Sequence, residues 1–593
     1  MQQHTDRLAD FTRDKRIVIT SLLAVVIGII SAVVAVALVW LINFFTNVSF
    51  FQRFSFQQVS AANNHLGPIA IVIPIIGGII IGLMARYGSE KIRGHGIPEA
   101  LEAILIGRSK LDPKVAVLKP LSSAISIGTG GPFGAEGPII MTGGACGSLF
   151  AQMFHLSAAE RKTLLVAGAS GGMAAIFATP VAAVLLAVEL LLFEWKPRSI
   201  IPVAIASAVA AALRTYFLGR GPIFPVPPHV SMNGSELLAA AAVGVIAGLA
   251  SGLMTTLVYA CEDAFPKLKL HWMWWPTLGG LCVGIGGFFE PRVLGVGYDI
   301  IGDLLKGNIH SGDALRLMVC KALVWVIALG SGTSGGVLAP LLIIGGALGA
   351  VEAHWLRLFG DPGLWALISM AAMMGGTMRS PLTAMVFALE LTNDVAVLPA
   401  LMVATIAAYA TTVMLLRRSI LTEKVARRGH HIHREYIVDP LEVVTVGSIM
   451  DRDVPTIPAD MKLNVLSDRI ANQDRQLTRR HALLIVDENK LLAGIITRSD
   501  IMKALQDETS SNDLTVADVG QVSVIVTYPD EPLRSAVDVM LQHDIGRLPV
   551  VARDNPKIIL GMIGRASVMM ARSRANELEN MRESVWNRAT ASK

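Results

Sequence analysis

Lys119–Ala151 reads KPLSSAISIGTGGPFGAEGPIIMTGGACGSLFA, and Lys321–Glu352 reads KALVWVIALGSGTSGGVLAPLLIIGGALGAVE. At an offset of 202, Lys119 falls on Lys321, Gly128 on Gly330, Gly130 on Gly332, Gly134 on Gly336 and Pro138 on Pro340. Gly143-Gly144-Ala145 falls on Gly345-Gly346-Ala347, and Gly147 on Gly349. A second match follows at an offset of 201, where Thr179-Pro180-Val181-Ala182-Ala183 pairs with Ser380-Pro381-Leu382-Thr383-Ala384. In both copies a glutamate stands nine residues beyond the proline, Glu189 and Glu390. Two matches in one order at nearly one offset describe a duplicated unit. The match leaves open whether the second copy is inverted.

The setting of both copies is a membrane. Of the 593 residues 53% are hydrophobic and 16% charged, against about a quarter charged in soluble domains. The shortage of charge ends near residue 416. Ile17–Asn43 has no charged residue across 27 positions, and about 20 apolar residues cross a bilayer. Its length and flanks exclude a signal peptide. Further apolar runs lie at about 67–84, 199–213, 236–260, 274–289, 316–330, 337–351 and 395–416. Several are short or broken by Gly and Pro, a pattern that membranes tolerate where the backbone lines a transport path.

Arg7, Arg13, Lys15 and Arg16 precede the first run, and Arg417, Arg418, Lys424, Arg427 and Arg428 follow the last. Positive flanks stay inside, so both termini are expected in the cytoplasm of a cell whose inner membrane holds the chain. The net charge of +5 belongs to this pattern rather than to nucleic-acid binding. Cys146, Cys261, Cys282 and Cys320 form no CxxC pair and are expected to be buried thiols, with no metal site.

Three places combine a glycine turn, a proline and a helix-like run. They are Gly94-His95-Gly96-Ile97-Pro98, Gly134-Ala135-Glu136-Gly137-Pro138 and Gly336-Val337-Leu338-Ala339-Pro340. Proline suits a first helical turn, and glycine lets backbone N–H groups approach a ligand. A helix N-terminus carries about half a positive charge and unpaired donors. Converging ends of this kind can hold a dehydrated anion without a full cation. Glu136 breaks the repeat, because its partner is Leu338. An ionisable group in a membrane segment is costly and usually functional. A carboxylate there competes with the anion and leaves when protonated, which makes Glu136 a candidate gate and proton acceptor.

At these residues the chain resembles the CLC family of chloride channels and proton/chloride antiporters. The family's motifs GSGIP, GxEGP and GxFxP stand here as GHGIP, GAEGP and GVLAP. The resemblance covers about residues 20–430 and the tail. It implies an all-α polytopic domain of inverted repeats, a homodimer, and one chloride pathway per subunit with Glu136 as gate. Departures accompany it. His95 replaces the family's pore serine, Leu338 its filter phenylalanine, and Leu421 its central tyrosine. The inward-facing glutamate of antiporters falls on Leu190, beside Glu189, with Glu194 as the nearest acid further along. His95 is a candidate N–H donor to the anion that titrates near neutral pH.

The tail holds a second repeat, soluble in character. Gly494-Ile495-Ile496-Thr497-Arg498-Ser499-Asp500 returns 67 residues later as Gly561-Met562-Ile563-Gly564-Arg565-Ala566-Ser567. Strands are expected at 481–486 and 547–551. This resembles a tandem CBS pair, a cytoplasmic α/β module. The resemblance implies an adenine nucleotide contacted by Thr497 and Asp500, a set that the second copy lacks. A dimerisation module without ligand, with Asp500 as a helix cap, is the alternative. His430, His431 and His433 read as a solvated linker.

The chain thus divides into an N-terminal segment 1–16 and a membrane domain 17–420, with halves at about 17–216 and 235–417. A linker 421–444, modules 445–508 and 515–573, and a tail 574–593 follow. No P-loop, zinc-ligand helix or nucleophile elbow is present, so an enzyme is not expected. Three readings of function remain open: a Glu136-gated chloride channel or transporter, an antiporter with an atypical proton path, and a nucleotide-responsive sensor with an inactive pathway.

Overall fold

The computed structural model describes residues 16–107, 109–229, 232–355, 361–429, 441, 444–472, 477, 482–506 and 514–571. Arg7, Arg13, Lys15, His430, His431, His433, His481 and the tail beyond 571 lie outside the described residues. The chain forms two compact units that divide near residue 436.

The first unit is helical. Its first half comprises α1 (Arg16–Phe51), α2 (Val72–Tyr87), α3 (Ile97–Leu105), α4 (Pro113–Gly128), α5 (Glu136–Ala151), α6 (Ala158–Phe177), α7 (Pro180–Leu186, continued by a π turn Ala187–Leu192) and α8 (Pro197–Arg214). The second half repeats the order as α9 (Gly234–Ala264), α10 (Trp275–Phe289), α11 (Tyr298–Leu305), α12 (Ser311–Gly330), α13 (Leu338–Trp355), α14 (Pro362–Met378), α15 (Pro381–Thr392) and α16 (Leu398–Leu415). A last helix, α17 (Ile420–Arg427), has no counterpart. Composition alone assigns residues 421–427 to a linker. In the structure they belong to this helix, whose Ile420, Leu421 and Val425 are buried.

Among the described residues, five helical stretches are long and apolar enough to cross a bilayer. On α1, Val18, Leu22, Val26, Ile29 and Val33 are exposed at three- and four-residue spacing. A continuous apolar stripe turned outward is a lipid-facing surface, not a core. The chain is a multi-pass membrane protein.

Glutamates fix the relation between the halves. Glu189, at the end of α7, accepts from the backbone N–H of Leu382 (3.3 Å) and of Thr383 (2.8 Å), and from the Thr383 hydroxyl (2.6 Å). Glu390, at the end of α15, accepts from the N–H of Val181 (3.0 Å) and Ala182 (2.8 Å). The end of each helix therefore caps the start of its repeat partner. Two equivalent helices in that relation run antiparallel, so the two-fold axis between the halves is perpendicular to them. The repeats are inverted. The caps offset the orphan N–H groups of both first turns with charge-assisted bonds.

Buried lysines perform a second matched task. Lys119 Nζ donates to the carbonyls of Ile92 (2.8 Å) and Gly94 (2.6 Å). Lys321 Nζ donates to those of Val293 (2.8 Å) and Gly295 (3.1 Å). Both side chains are fully buried. Burying an ammonium costs several kcal/mol, which two charge-assisted bonds offset in part. The return is a fixed turn before α3 and before α11.

In the second unit, β1 (Thr456–Pro458) pairs parallel with β2 (Ala482–Val486), which pairs antiparallel with β3 (Leu492–Thr497). β4 (Arg547–Val551) and β5 (Ile559–Gly564) form the equivalent hairpin. Helices Leu463–Ala471 and Leu533–Gln542 lie on two separate apolar cores. The four cysteines, all in the first unit, are free and half-buried rather than buried.

Glu390→Gln leaves one capping oxygen and turns an amide N–H₂ toward α7. The expected cost is about 1–3 kcal/mol, read as a lower midpoint of thermal unfolding in detergent. Glu189→Gln is expected to cost a similar amount, and an unchanged midpoint in both would show that the caps contribute nothing.

Candidate anion site

The site lies where the repeats cross. Gly134 and Gly336 face each other as an antiparallel pair. Gly336 N donates to Gly134 O at 2.9 Å and Gly134 N to Gly336 O at 3.3 Å. The exchange joins repeat-equivalent residues, so the two-fold axis passes between them. From this pair α5 and α13 lead away, their N-termini meeting at the axis. Pro138 and Pro340 occupy matched places in the first turns, where a missing N–H costs nothing.

Glu136 fills the space between them. It is 1% exposed, and its Oε1 accepts from the N–H of Leu338, the first residue of α13. A methyl group on Gly134 or on Gly336 would overlap its carboxylate. Glycine at both positions is therefore what opens a cradle for one anionic group. Glu136 Oε2 has no hydrogen-bond partner among the described residues.

The third motif closes around the same point. Gly94 (φ +77°) and Gly96 (φ +88°) flank His95 in the left-handed region that favours glycine. Gly94 N donates to Gly332 O at 3.3 Å, and Gly335 N to Gly94 O at 3.4 Å. Gly137 packs so closely that an added methyl would strike the His95 carbonyl and approach Gly336. Gly94–Pro98, Gly134–Pro138 and Gly336–Pro340 thus meet in space, and Ile97, Pro98, Ala135, Val337, Leu338 and Ala339 are buried around them. His95 is buried, and its Nδ1 lacks a partner among the described residues. Glu99 completes the turn by accepting from Gly96 N at 3.1 Å. It also pairs with Lys424 (3.0 Å) and Arg428 (3.1 Å).

Two other expected positions lie on α17 and in the turn after α7. Leu421 is buried on α17, the helix whose Ile420 carbonyl accepts from the Tyr259 hydroxyl at 2.5 Å. Its apolar side chain brings no donor to an anion. Leu190 is buried in the π turn after α7. The adjacent acids are already engaged, Glu189 in its cap and Glu194 with the Ser199 hydroxyl (2.6 Å) and Lys196 (3.0 Å).

Cavities approach from both sides. One, of about 670 Å³, reaches Ala135 and is lined by Arg214, Arg220, Gly295, Gly297 and Tyr298 among others. The other, of about 540 Å³, reaches Met141 and Gly332 and is lined by Arg93, Lys110, Lys424, Arg427 and Arg428, with Glu99 and Glu102. The turn Gly295-Val296-Gly297-Tyr298 is the repeat counterpart of Gly94-His95-Gly96-Ile97, as the matched lysine bonds show. It carries no proline to mark it in the sequence. The Gly-x-Gly at an offset of 201 was the available signal.

Residues 76–413 match the family model described as voltage gated chloride channel. The chain belongs to that family. Residues 446–507 and 516–574 each match the CBS domain. Among curated CLC relatives, the voltage-gated ClC-type chloride channel ClcB of Escherichia coli is 30% identical over 425 residues, which is 69% of this chain and 99% of the relative. A putative chloride channel protein, ClcB-like, of Ralstonia nicotianae is 27% identical over 366 residues, 60% of this chain and 85% of that one. The CLC fold is shared with a slow cyanobacterial Cl-/H+ antiporter (TM-score 0.63, 22% identity, 69% of this chain and 97% of that one). A eukaryotic CLC transporter shares it over 92% of this chain and 97% of its own (TM-score 0.61, 19% identity).

In the CBS unit, Thr497 and Asp500 are close but bonded to each other. Asp500 Oδ2 accepts from Thr497 N (2.8 Å) and from the Thr497 hydroxyl (2.6 Å), while Asp500 N donates to Thr497 Oγ1 (3.3 Å). This is a capping box at a helix start.

His95→Ser exchanges an imidazole for a small hydroxyl beside the cradle. The expected outcome is a changed order of chloride, bromide and nitrate flux from liposomes, by about two- to ten-fold in at least one ratio, the range of one hydrogen bond. Unchanged ratios would make His95 a residue of the turn alone.

Proposed function

We propose that this CLC protein carries chloride through the Gly134–Gly336 crossing and that Glu136 is its gate. The observation that carries the reading is the seat of the Glu136 carboxylate on the Leu338 amide, over two glycines. Those N–H groups and the two opposed helix ends favour one negative charge. A carboxylate and a chloride ion compete for that place. Protonation removes the charge of Glu136 and with it the reason to stay.

The proton path is a separate question. Leu190 replaces the acid that antiporters use, and Glu189 and Glu194 are held by caps and a lysine. These features favour chloride movement with little or no proton coupling over tightly coupled exchange. The basic residues Arg417, Arg418, Lys424, Arg427 and Arg428 support a cytoplasmic side at α17, hence an inner-membrane protein with both termini inside. The exposed Val181 and Leu382, on the reciprocally capped α7 and α15, support an apolar face for a homodimer.

Chloride flux from loaded proteoliposomes, recorded together with external pH, tests both points. Parent flux is expected to rise as pH falls, with no uphill proton movement. Glu136→Gln is expected to show high flux without pH dependence. A titration like that of the parent would remove Glu136 as the gate, and proton pumping driven by chloride would establish exchange by a route around Leu190.

For the CBS unit we infer an adenine-nucleotide site in the first module only. A hydroxyl suited to phosphate and a carboxylate suited to ribose stand together in Thr497 and Asp500, while Gly564 and Ser567 offer no such pair. Binding must open the capping box. Asp500→Ala is expected to weaken ATP or AMP binding by about ten-fold or more in calorimetry, as for a lost bond to a charged group. Equal binding would place the nucleotide elsewhere.

A further inference from the structure

Two buried oxygens near the outer end of the pathway have no hydrogen-bond partner among the described residues, Tyr298 Oη and Glu136 Oε2. One belongs to a donor and the other is an acceptor. They come from opposite repeats. Tyr298 opens α11 behind Gly297, whose φ is +76°, and Glu136 opens α5. The Tyr298 ring is held edge-on by Phe177, with centroids 6.2 Å apart, and tilted against Phe224 at 6.1 Å. Tyr298 and Ala135, the neighbour of Glu136, line the same 670 Å³ cavity. The charged groups on the other walls are committed or open to water. Arg214 donates to the Gly219 carbonyl at 3.0 Å, and Arg220 and Asp299 are exposed.

An unmade bond on a buried hydroxyl is a standing cost to the fold. Ring packing alone would be served by phenylalanine. The oxygen therefore has a use in another arrangement of the same groups, and the Glu136 carboxyl, displaced toward the cavity that Ala135 and Tyr298 line, would supply the acceptor. We propose that Tyr298 is the outer latch of the gate. When the Glu136 carboxyl leaves the Leu338 amide, it moves into the outer cavity and accepts a hydrogen bond from the Tyr298 hydroxyl. The cradle over Gly134 and Gly336 is then free for chloride. The repeat counterpart of Tyr298 is Ile97, so the latch stands on one side only. This inference rests on the reading of Glu136 as the gate and adds where the gate goes when open.

The test is a cycle of four proteins in chloride-loaded proteoliposomes: the parent, Tyr298→Phe, Glu136→Ala and the double variant. Phenylalanine keeps the ring and its contacts with Phe177 and Phe224. Tyr298→Phe is expected to lower chloride flux about five-fold, the worth of one hydrogen bond, with chloride-to-bromide ratios unchanged. In the Glu136→Ala background the same substitution is expected to change nothing, because there is no carboxyl to hold. An equal loss in both backgrounds would overturn the latch, since the hydroxyl would then act on the anion or on the fold. No loss in the parent background would also overturn it. If Glu136→Ala keeps the parent's pH dependence, the gate reading itself fails and the latch fails with it.

Discussion

Two helix N-termini that meet head to head are an electrostatic problem before they are a binding site. Each brings about half a positive charge and orphan N–H groups, and no water shell inside a bilayer relieves them. Something negative must sit between α5 and α13. The Glu136 carboxylate does so in this structure, bonded to the Leu338 amide. A mobile anion is the other group of the right charge. The remainder of the membrane unit can be understood as the frame that keeps those two ends opposed.

That frame is built in matched pairs. The lysines 119 and 321 tie down the turns before α3 and α11. The glutamates 189 and 390 staple α7 to α15. Each device spends a charged side chain on backbone groups of a neighbouring element, which is expensive in a membrane and resists sliding of one helix along another. Close helix contacts are set by glycine. Gly78 lies against the Pro276 carbonyl and Gly280 against that of Pro74, so a side chain at either would drive α2 and α10 apart.

Much of this was legible in the residues themselves. The offset of Lys119–Ala151 against Lys321–Glu352 carried the duplication, and three Gly–Pro turns located the crossing. The odd carboxylate of Glu136 against Leu338 marked its centre. What the residues did not carry were relations between distant backbone groups. Lys119 and Lys321 were matched without a role, because their acceptors are carbonyls some 25 residues away. Glu189 read as an acid near a proton route, since capping is visible only once the start of α15 is known to lie beside it. Tyr298 carried no proline to mark its turn, and an aromatic in an apolar stretch is ordinarily core. The orientation of the copies was open until the reciprocal caps showed α7 and α15 antiparallel.

An inverted two-fold frame has no preferred end. Turned over, its backbone offers a passing ion much the same landscape. Direction in such a machine must then be written in the few side chains that disobey the symmetry. Glu136 against Leu338, His95 against Val296 and Tyr298 against Ile97 are such places. Rectification is therefore a matter of chemistry at a handful of atoms rather than of shape. A lineage that keeps the frame can reverse, sharpen or abolish the sense of flow by exchanging those side chains, with the scaffold left as it stands.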